Sequence, residues 1–223
     1  FWEYGARKNG DWGAHHYDII QWALGTDDTG PTTFYPMGHD GVPYQSFEYA
    51  NGLRVYRDSE RDKCKEMINF YGADGSVHVG RKGKLETTPE TLRAQRLSDT
   101  DETLEVSADH RRNWIECIRS REQPICNVEV GHRTSTVCHL NAIADKTPGT
   151  LKLFKADLLD ADSFDAPMQG CDILMHTASP FVLEGFTDAH EALVRPAVEG
   201  TRNVLNAANR CDTLKRVVLT SSV

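Results

Sequence analysis

The chain has 223 residues, 39% of them hydrophobic and 26% charged, with a formal net charge of -8. That length suits one large domain or two small ones, and the apolar fraction is compatible with a packed core. The acidic balance argues against nucleic acid and anionic membrane as partners, and no apolar run approaches the roughly 18 residues of a membrane span.

The first residues, FWEYGARKNGDWG, have no basic start followed by an apolar stretch, so they do not read as a signal peptide. The sequence starts at Phe1 and breaks off after the β-rich run RVVLTSSV, which gives the expectation of a fragment. Residues 11–25, DWGAHHYDIIQWALG, predict a helix with Asp11 at its start and Gly25 at its stop. Ile19, Ile20, Ala23 and Leu24 form its apolar stripe. Residues 26–43, rich in glycine, proline and threonine, read as loop. Four β-like runs follow: YQSFEYA (44–50), GLRVYRD (52–58), KEMINFYG (65–72) and SVHVGR (76–81). Asn51-Gly52 signals a hairpin, and Gly72 to Gly75 separates the last two runs in the same way. With no helices between them, these runs predict a largely antiparallel sheet.

Residues 86–107 are polar and weakly patterned. Helices are predicted near 108–120 and 130–144, joined by a connector containing Pro124. Beyond DKTPGT the pattern changes. LKLFKADLL (151–159), CDILMHTA (171–178) and RVVLTSS (216–222) read as strands, and residues 188–210 as a helix that Pro196 breaks or kinks. Strand, strand, helix, strand with buried-looking runs is a parallel α/β arrangement. The predicted fold is therefore α+β, mainly antiparallel sheet with helices, over residues 1–145. A partial α/β, Rossmann-like parallel sheet follows over 146–223.

None of the six cysteines, Cys64, Cys117, Cys126, Cys138, Cys171 and Cys211, stands in a C-x-x-C pair. Reduced thiols in a cytoplasmic protein are the expectation. Cys126, His132, Cys138 and His139 match no structural zinc spacing and read as ordinary helix residues, so no metal site is expected. His176, inside an apolar run, reads as a core histidine.

Asp11, His15 and Asp18 stand at i, i+4 and i+7, which share one helix face with neighbours about 5–6 Å apart. Three readings stay open on spacing alone. In the first Asp11 simply caps the helix beside a solvated His15, in the second the pair relays a proton when an alcohol is oxidised, and in the third it binds a metal together with His16. The segment D-W-G-A-H-H-Y-D-I-I-Q-W-A-L-G fits the D-x-G-x-H-x-x-D stretch of the Gfo/Idh/MocA oxidoreductases. HRRNWIECIRSREQPICNVEVGHRTSTVCHLNAIA is similar to that family's closing helix pair. Residues 1–144 thus resemble the family's C-terminal domain. The resemblance implies that Asp11 binds a substrate hydroxyl, with Asp18 also on the substrate side, and that His15 is the acid/base. It implies a polyol or sugar substrate and homo-oligomers packed through the antiparallel sheet. The family's cofactor domain and catalytic lysine would lie upstream of Phe1. This chain reads YGARKNGD where the family carries a glycine pair before the aspartate.

LKLFKADLLDADSFDAPMQGCDILMHTASPF, PAVEGTRNVLNAA and KRVVLTSSV make residues 147–223 resemble the interior of an extended short-chain dehydrogenase/reductase. The closest flavour is the dihydroflavonol 4-reductase-like group, within the NAD-dependent epimerase/dehydratases. That resemblance implies that Asp157 and Leu158 flank the adenine and that Thr177, Ala178 and Ser179 line the dinucleotide, since ligands of open α/β sheets sit at the carboxyl ends of strands. It makes Ser222 the serine of the Ser-Tyr-Lys set, with Ser221 the weaker candidate.

Neither G-x-G-x-x-G nor T-G-x-x-G-x-x-G occurs in the sequence. The expectation is an oxidoreductase by descent, with NAD or NADP as the cofactor of both parent families. Tight dinucleotide binding and activity by these 223 residues alone are not expected. The alternatives are a non-catalytic sugar-binding or dimerisation module, and an assembly artefact without selected function.

Overall fold

Asp11 stands where the chain leaves a short helix, α1 (Arg7–Gly10), and enters a longer one, α2 (Trp12–Ala23). The computed structural model describes all residues except 1–4, 58–66, 97, 101–105, 181–184 and 221–223. They fall into two compact units, Phe1–Lys152 and Leu153–Val223.

In the first unit, glycine ends α2 as the sequence predicts. Gly25 adopts φ 64, its N–H donates to the Trp22 carbonyl at 3.1 Å, and the Thr26 N–H donates to the Gln21 carbonyl at 2.8 Å. These paired bonds satisfy carbonyls that the helix end leaves open. Asp109 starts α3 (His110–Ser120) by accepting from the N–H groups of Arg111 at 2.9 Å and Arg112 at 3.3 Å. Asn127 does the same for α4 (Val128–Ala144), accepting from Glu129 and Val130 at 2.9 and 3.1 Å.

A four-stranded antiparallel sheet runs in the order β3 (Arg54–Tyr56), β2 (Ser46–Glu48), β1 (Thr33–Tyr35), β7 (Leu151–Lys152). The Asn51-Gly52 turn joins β2 to β3, with Gly52 at φ 85. Phe34 of β1 pairs in register with Phe47 of β2, and their rings lie 5.5 Å apart between centroids. Both are buried, with Tyr17 of α2, Tyr49, and Val137, Cys138 and Ala144 of α4. Removing one such phenylalanine from water contributes roughly 1.5–3 kcal/mol.

Two strands here depart from the sequence reading. Residues 26–43, predicted as loop, contain β1, a strand of only three residues between Pro31 and Pro36 that carries the fully buried Phe34. The strand predicted over 151–159 is limited to Leu151–Lys152, and it pairs antiparallel with β1 instead of opening a parallel sheet. Two residues of ladder leave no period to read, and partner choice is a tertiary matter.

A second antiparallel sheet has the order β4 (Met67–Gly72), β5 (Gly75–Gly80), β6 (Leu85–Thr88). At the β4–β5 hairpin, Gly75 has φ 146, and a Cβ there would lie 2.0 Å from the Thr88 carbonyl oxygen, so glycine is required. Strand β6 lies at the start of the stretch the sequence leaves unpatterned.

The second unit contains α5 (Asp165–Met168), β8 (Ile173–His176), α6 (Arg195–Asn209) and β9 (Arg216–Leu219). Strands β8 and β9 pair in parallel, Ile173 with Arg216 through His176 with Leu219, and α6 is the crossover. Val204, Ala207 and Ala208 of α6 pack on Met168, Leu158, Phe164 and Leu174. The predicted break at Pro196 takes the form of a π-helical turn, His190–Val194, directly ahead of α6, which places the proline in the first turn of α6 where its missing N–H costs least. Gly200 lets α6 approach Leu158, whose Cβ would lie 2.8 Å from an added Cβ. The described residues thus comprise helices with antiparallel sheets, then a small parallel sheet.

Candidate functional site

One face of α2 turns Tyr17 and Gln21 into the core. Another presents His15, His16 and Asp18 to a cavity of about 500 Å³. Arg81, just after β5, and Thr134 of α4 also line it. That volume lies within the usual range for small-molecule sites, roughly 300–1,000 Å³.

The cavity wall is braced by a chain of polar contacts. The Thr134 hydroxyl donates to Asp18 Oδ1 at 3.0 Å. Gln21 Nε2 donates to Thr134 Oγ1 at 3.5 Å, and the Tyr49 hydroxyl donates to Gln21 Oε1 at 3.4 Å. Gln21, Thr134 and Tyr49 are all buried. Buried polar groups without partners are costly, so this chain fixes how α2 and α4 meet and where Asp18 points.

On the open side, the Trp12 ring stands edge-on to His15 with centroids 6.5 Å apart, and the Arg81 guanidinium lies over Trp12 at 4.6 Å. His16 has its pKa lowered, by burial first and then by the charges of Arg81 and His15. It therefore offers a neutral imidazole at neutral pH, able to donate through one nitrogen and accept through the other.

The structure brings His15 and Asp18 into one cavity with His16. Asp11 is exposed at the N-cap position of α2, its side chain caps no N–H, and the cavity lining begins further on at Ala14. Sequence reading did not single out Arg81 or Thr134. They stand 66 and 119 positions from His15 (81 − 15 and 134 − 15), and only the fold assembles them. Cys138 belongs to the hydrophobic core, where burial pushes its thiol up to about 11, and no group of metal-ligating side chains occurs among the described residues.

In the second unit, Asp157 is exposed in a local turn, accepting from the Leu159 N–H at 2.9 Å. Leu158 is half-buried against α6, and its carbonyl accepts from Asn203 Nδ2 at 2.8 Å. Thr177, Ala178 and Ser179 are exposed immediately after β8. His176 is buried, and its carbonyl accepts from both the N–H and the hydroxyl of Thr220 at 3.1 Å. Ser222 and Ser221 lie outside the described residues.

A dinucleotide pyrophosphate needs backbone N–H groups of a glycine-rich turn opening a helix. The most constrained glycines do other work: Gly75 clears Thr88 in a β-hairpin, Gly200 clears Leu158 in the middle of a helix, and Gly10, at the end of α1, clears the Gly5 carbonyl. Among the described residues none of the three belongs to a glycine-rich turn between a strand and a helix.

The comparisons place both parts of the sequence among oxidoreductase families. The family model described as "Oxidoreductase family, C-terminal alpha/beta domain" matches residues 1–167, and the chain belongs to that family. Residues 121–223 match the 3-beta hydroxysteroid dehydrogenase/isomerase family, a short-chain-reductase type. Similar curated proteins include cinnamoyl-CoA reductase CAD2 of Medicago truncatula, 51% identical over 73 residues, covering 33% of this chain and 22% of the relative. Anthocyanidin reductase of Vitis vinifera is 47% identical over 74 residues, covering 33% and 22%. Tetraketide alpha-pyrone reductase 1 of Arabidopsis thaliana is 51% identical over 72 residues, covering 32% and 22%. The chain therefore spans about a fifth of the length of these relatives. The parent families use NAD or NADP. No helix among the described residues is long and apolar enough to cross a membrane.

Proposed function

We propose that the chain is the substrate-side portion of an NAD(P)-dependent oxidoreductase acting on a CH–OH group, and that it does not complete the reaction by itself. The observation carrying this reading is the cavity that gathers His15, His16, Asp18 and Arg81 beside the D-x-G-x-H-x-x-D helix. A polyol or sugar enters there. His15 holds or returns the proton of the substrate hydroxyl, because an exposed imidazole lining a cavity can exchange protons with both substrate and water. Asp18, fixed by Thr134, accepts from a neighbouring hydroxyl, and Asp11 at the head of the same helix contacts substrate from outside the cavity.

In the second unit Asp157, Leu158, Thr177, Ala178 and Ser179 form the adenine-side contacts of a partial Rossmann-like sheet, and Ser222 is its catalytic serine. The nicotinamide cofactor supplies hydride transfer when bound, and these residues lack its phosphate cradle. A cytoplasmic setting, where thiols stay reduced, is part of this reading. Self-association through the antiparallel sheet belongs to the same reading.

Titrating NADH and NADPH into the purified chain, followed by nicotinamide fluorescence, tests this. No binding below about a millimolar is expected. Micromolar binding of either nucleotide, or turnover of a polyol with added NAD or NADP, would overturn it.

A further inference from the structure

Several arginines of the first unit have carboxylate partners. Arg57 pairs with Asp145, Arg112 with Glu116 and Arg133 with Glu129. Arg81 faces the cavity instead. It lines the cavity, and among the described residues its guanidinium engages the Trp12 ring at 4.6 Å and no carboxylate. Asp18 lines the same cavity, but its carboxylate is engaged by the Thr134 hydroxyl on the α4 side. A guanidinium placed over an aromatic face still has N–H groups that match the two oxygens of a carboxylate. Its positive charge reaches into the cavity, since it is one of the causes that lower the pKa of His16.

Resting on the reading of the cavity as a substrate site, we propose that Arg81 selects an anionic substrate, a polyhydroxy carboxylic acid in place of a neutral polyol. The carboxylate binds the Arg81 edge, and the hydroxyls lie toward His15, His16 and Asp18. Neutral His16 donates to or accepts from a hydroxyl without competing with Arg81 for the charge.

D-gluconate and D-glucitol form a matched pair for the test, alike in carbon number and differing in one charged end. Each is titrated into the full chain while the ring C–H resonances of the histidines are followed by NMR. Gluconate should bind about tenfold or more tightly than glucitol, and Arg81→Gln should lower gluconate affinity to that of glucitol while leaving glucitol unchanged. Arg81→Lys, which keeps the charge, should retain part of the preference. Equal binding of the two ligands by the unmodified chain, an equal loss of both in R81Q, or complete loss of preference in R81K would overturn the proposal and leave the cavity as a neutral-polyol site. If neither ligand shifts a histidine resonance, the substrate-site reading fails with it.

Discussion

The Thr134 hydroxyl of α4 reaches Asp18 of α2 at 3.0 Å, across 116 positions of sequence. This contact ties the helix that carries the motif to the helix that backs the sheet. It also ends the buried chain running through Gln21 to Tyr49.

Thr134→Val keeps the shape and removes both the donor to Asp18 and the acceptor for Gln21. It should cost about 1–3 kcal/mol, because partly buried polar groups lose partners. Urea unfolding followed by near-ultraviolet circular dichroism measures the loss. An unchanged midpoint would show that water replaces the hydroxyl.

Asn141 of α4 is completely buried, and neither side-chain polar atom has a hydrogen-bond partner among the described residues. Its backbone carbonyl, which accepts from Gln45 Nε2 at 2.8 Å, does not need the amide. Asn141→Leu, close in shape, should therefore stabilise the first unit by about 1–2 kcal/mol. A lower urea midpoint in N141L would reveal a partner for the amide.

His16 sets an acid limb on stability. Its folded pKa lies below the ordinary histidine value of 6.5, held down by burial and the nearby charges of Arg81 and His15. Between the folded pKa and 6.5 the unfolded chain carries the proton and the folded chain does not, so stability falls as pH drops below 6.5 and levels off beneath the folded pKa. His16→Gln should flatten that part of the profile. A profile unchanged in the variant would assign the slope elsewhere.

Gly200→Ala should weaken the second unit although alanine is the better helix former by about 0.8–1 kcal/mol. The added Cβ would meet Leu158 Cβ at 2.8 Å, and overpacking of this kind costs about 1–3 kcal/mol. Amide exchange across 195–209 should quicken, and slower exchange would contradict the close approach.

Where residues act through their neighbours in the chain, the sequence was readable. Gly25 and Gly52 mark the end of a helix and a hairpin, and the helices expected near 108–120 and 130–144 stand at His110–Ser120 and Val128–Ala144. The alternating helix and strand text of 171–219 yields a parallel pair with a crossover. Of the cavity lining, the sequence singled out the α2 residues His15 and Asp18. Arg81 carries no local signature, since a basic residue after a strand is common, and its meaning comes from Trp12 lying beneath it. Strand β1 was hidden by its brevity, and β7 by its position in text that reads as the start of a reductase strand.

Strand β7 bears on how the chain acquires its structure during synthesis. Leu151 pairs with Phe34, 117 positions earlier (151 − 34), so the last seam of the first sheet closes only after nearly all of that unit has left the ribosome. Until then β1 presents an unpaired backbone edge, the kind of surface other nascent strands adhere to. Cutting the chain near residue 146, where the composition changes, would make that interim state permanent.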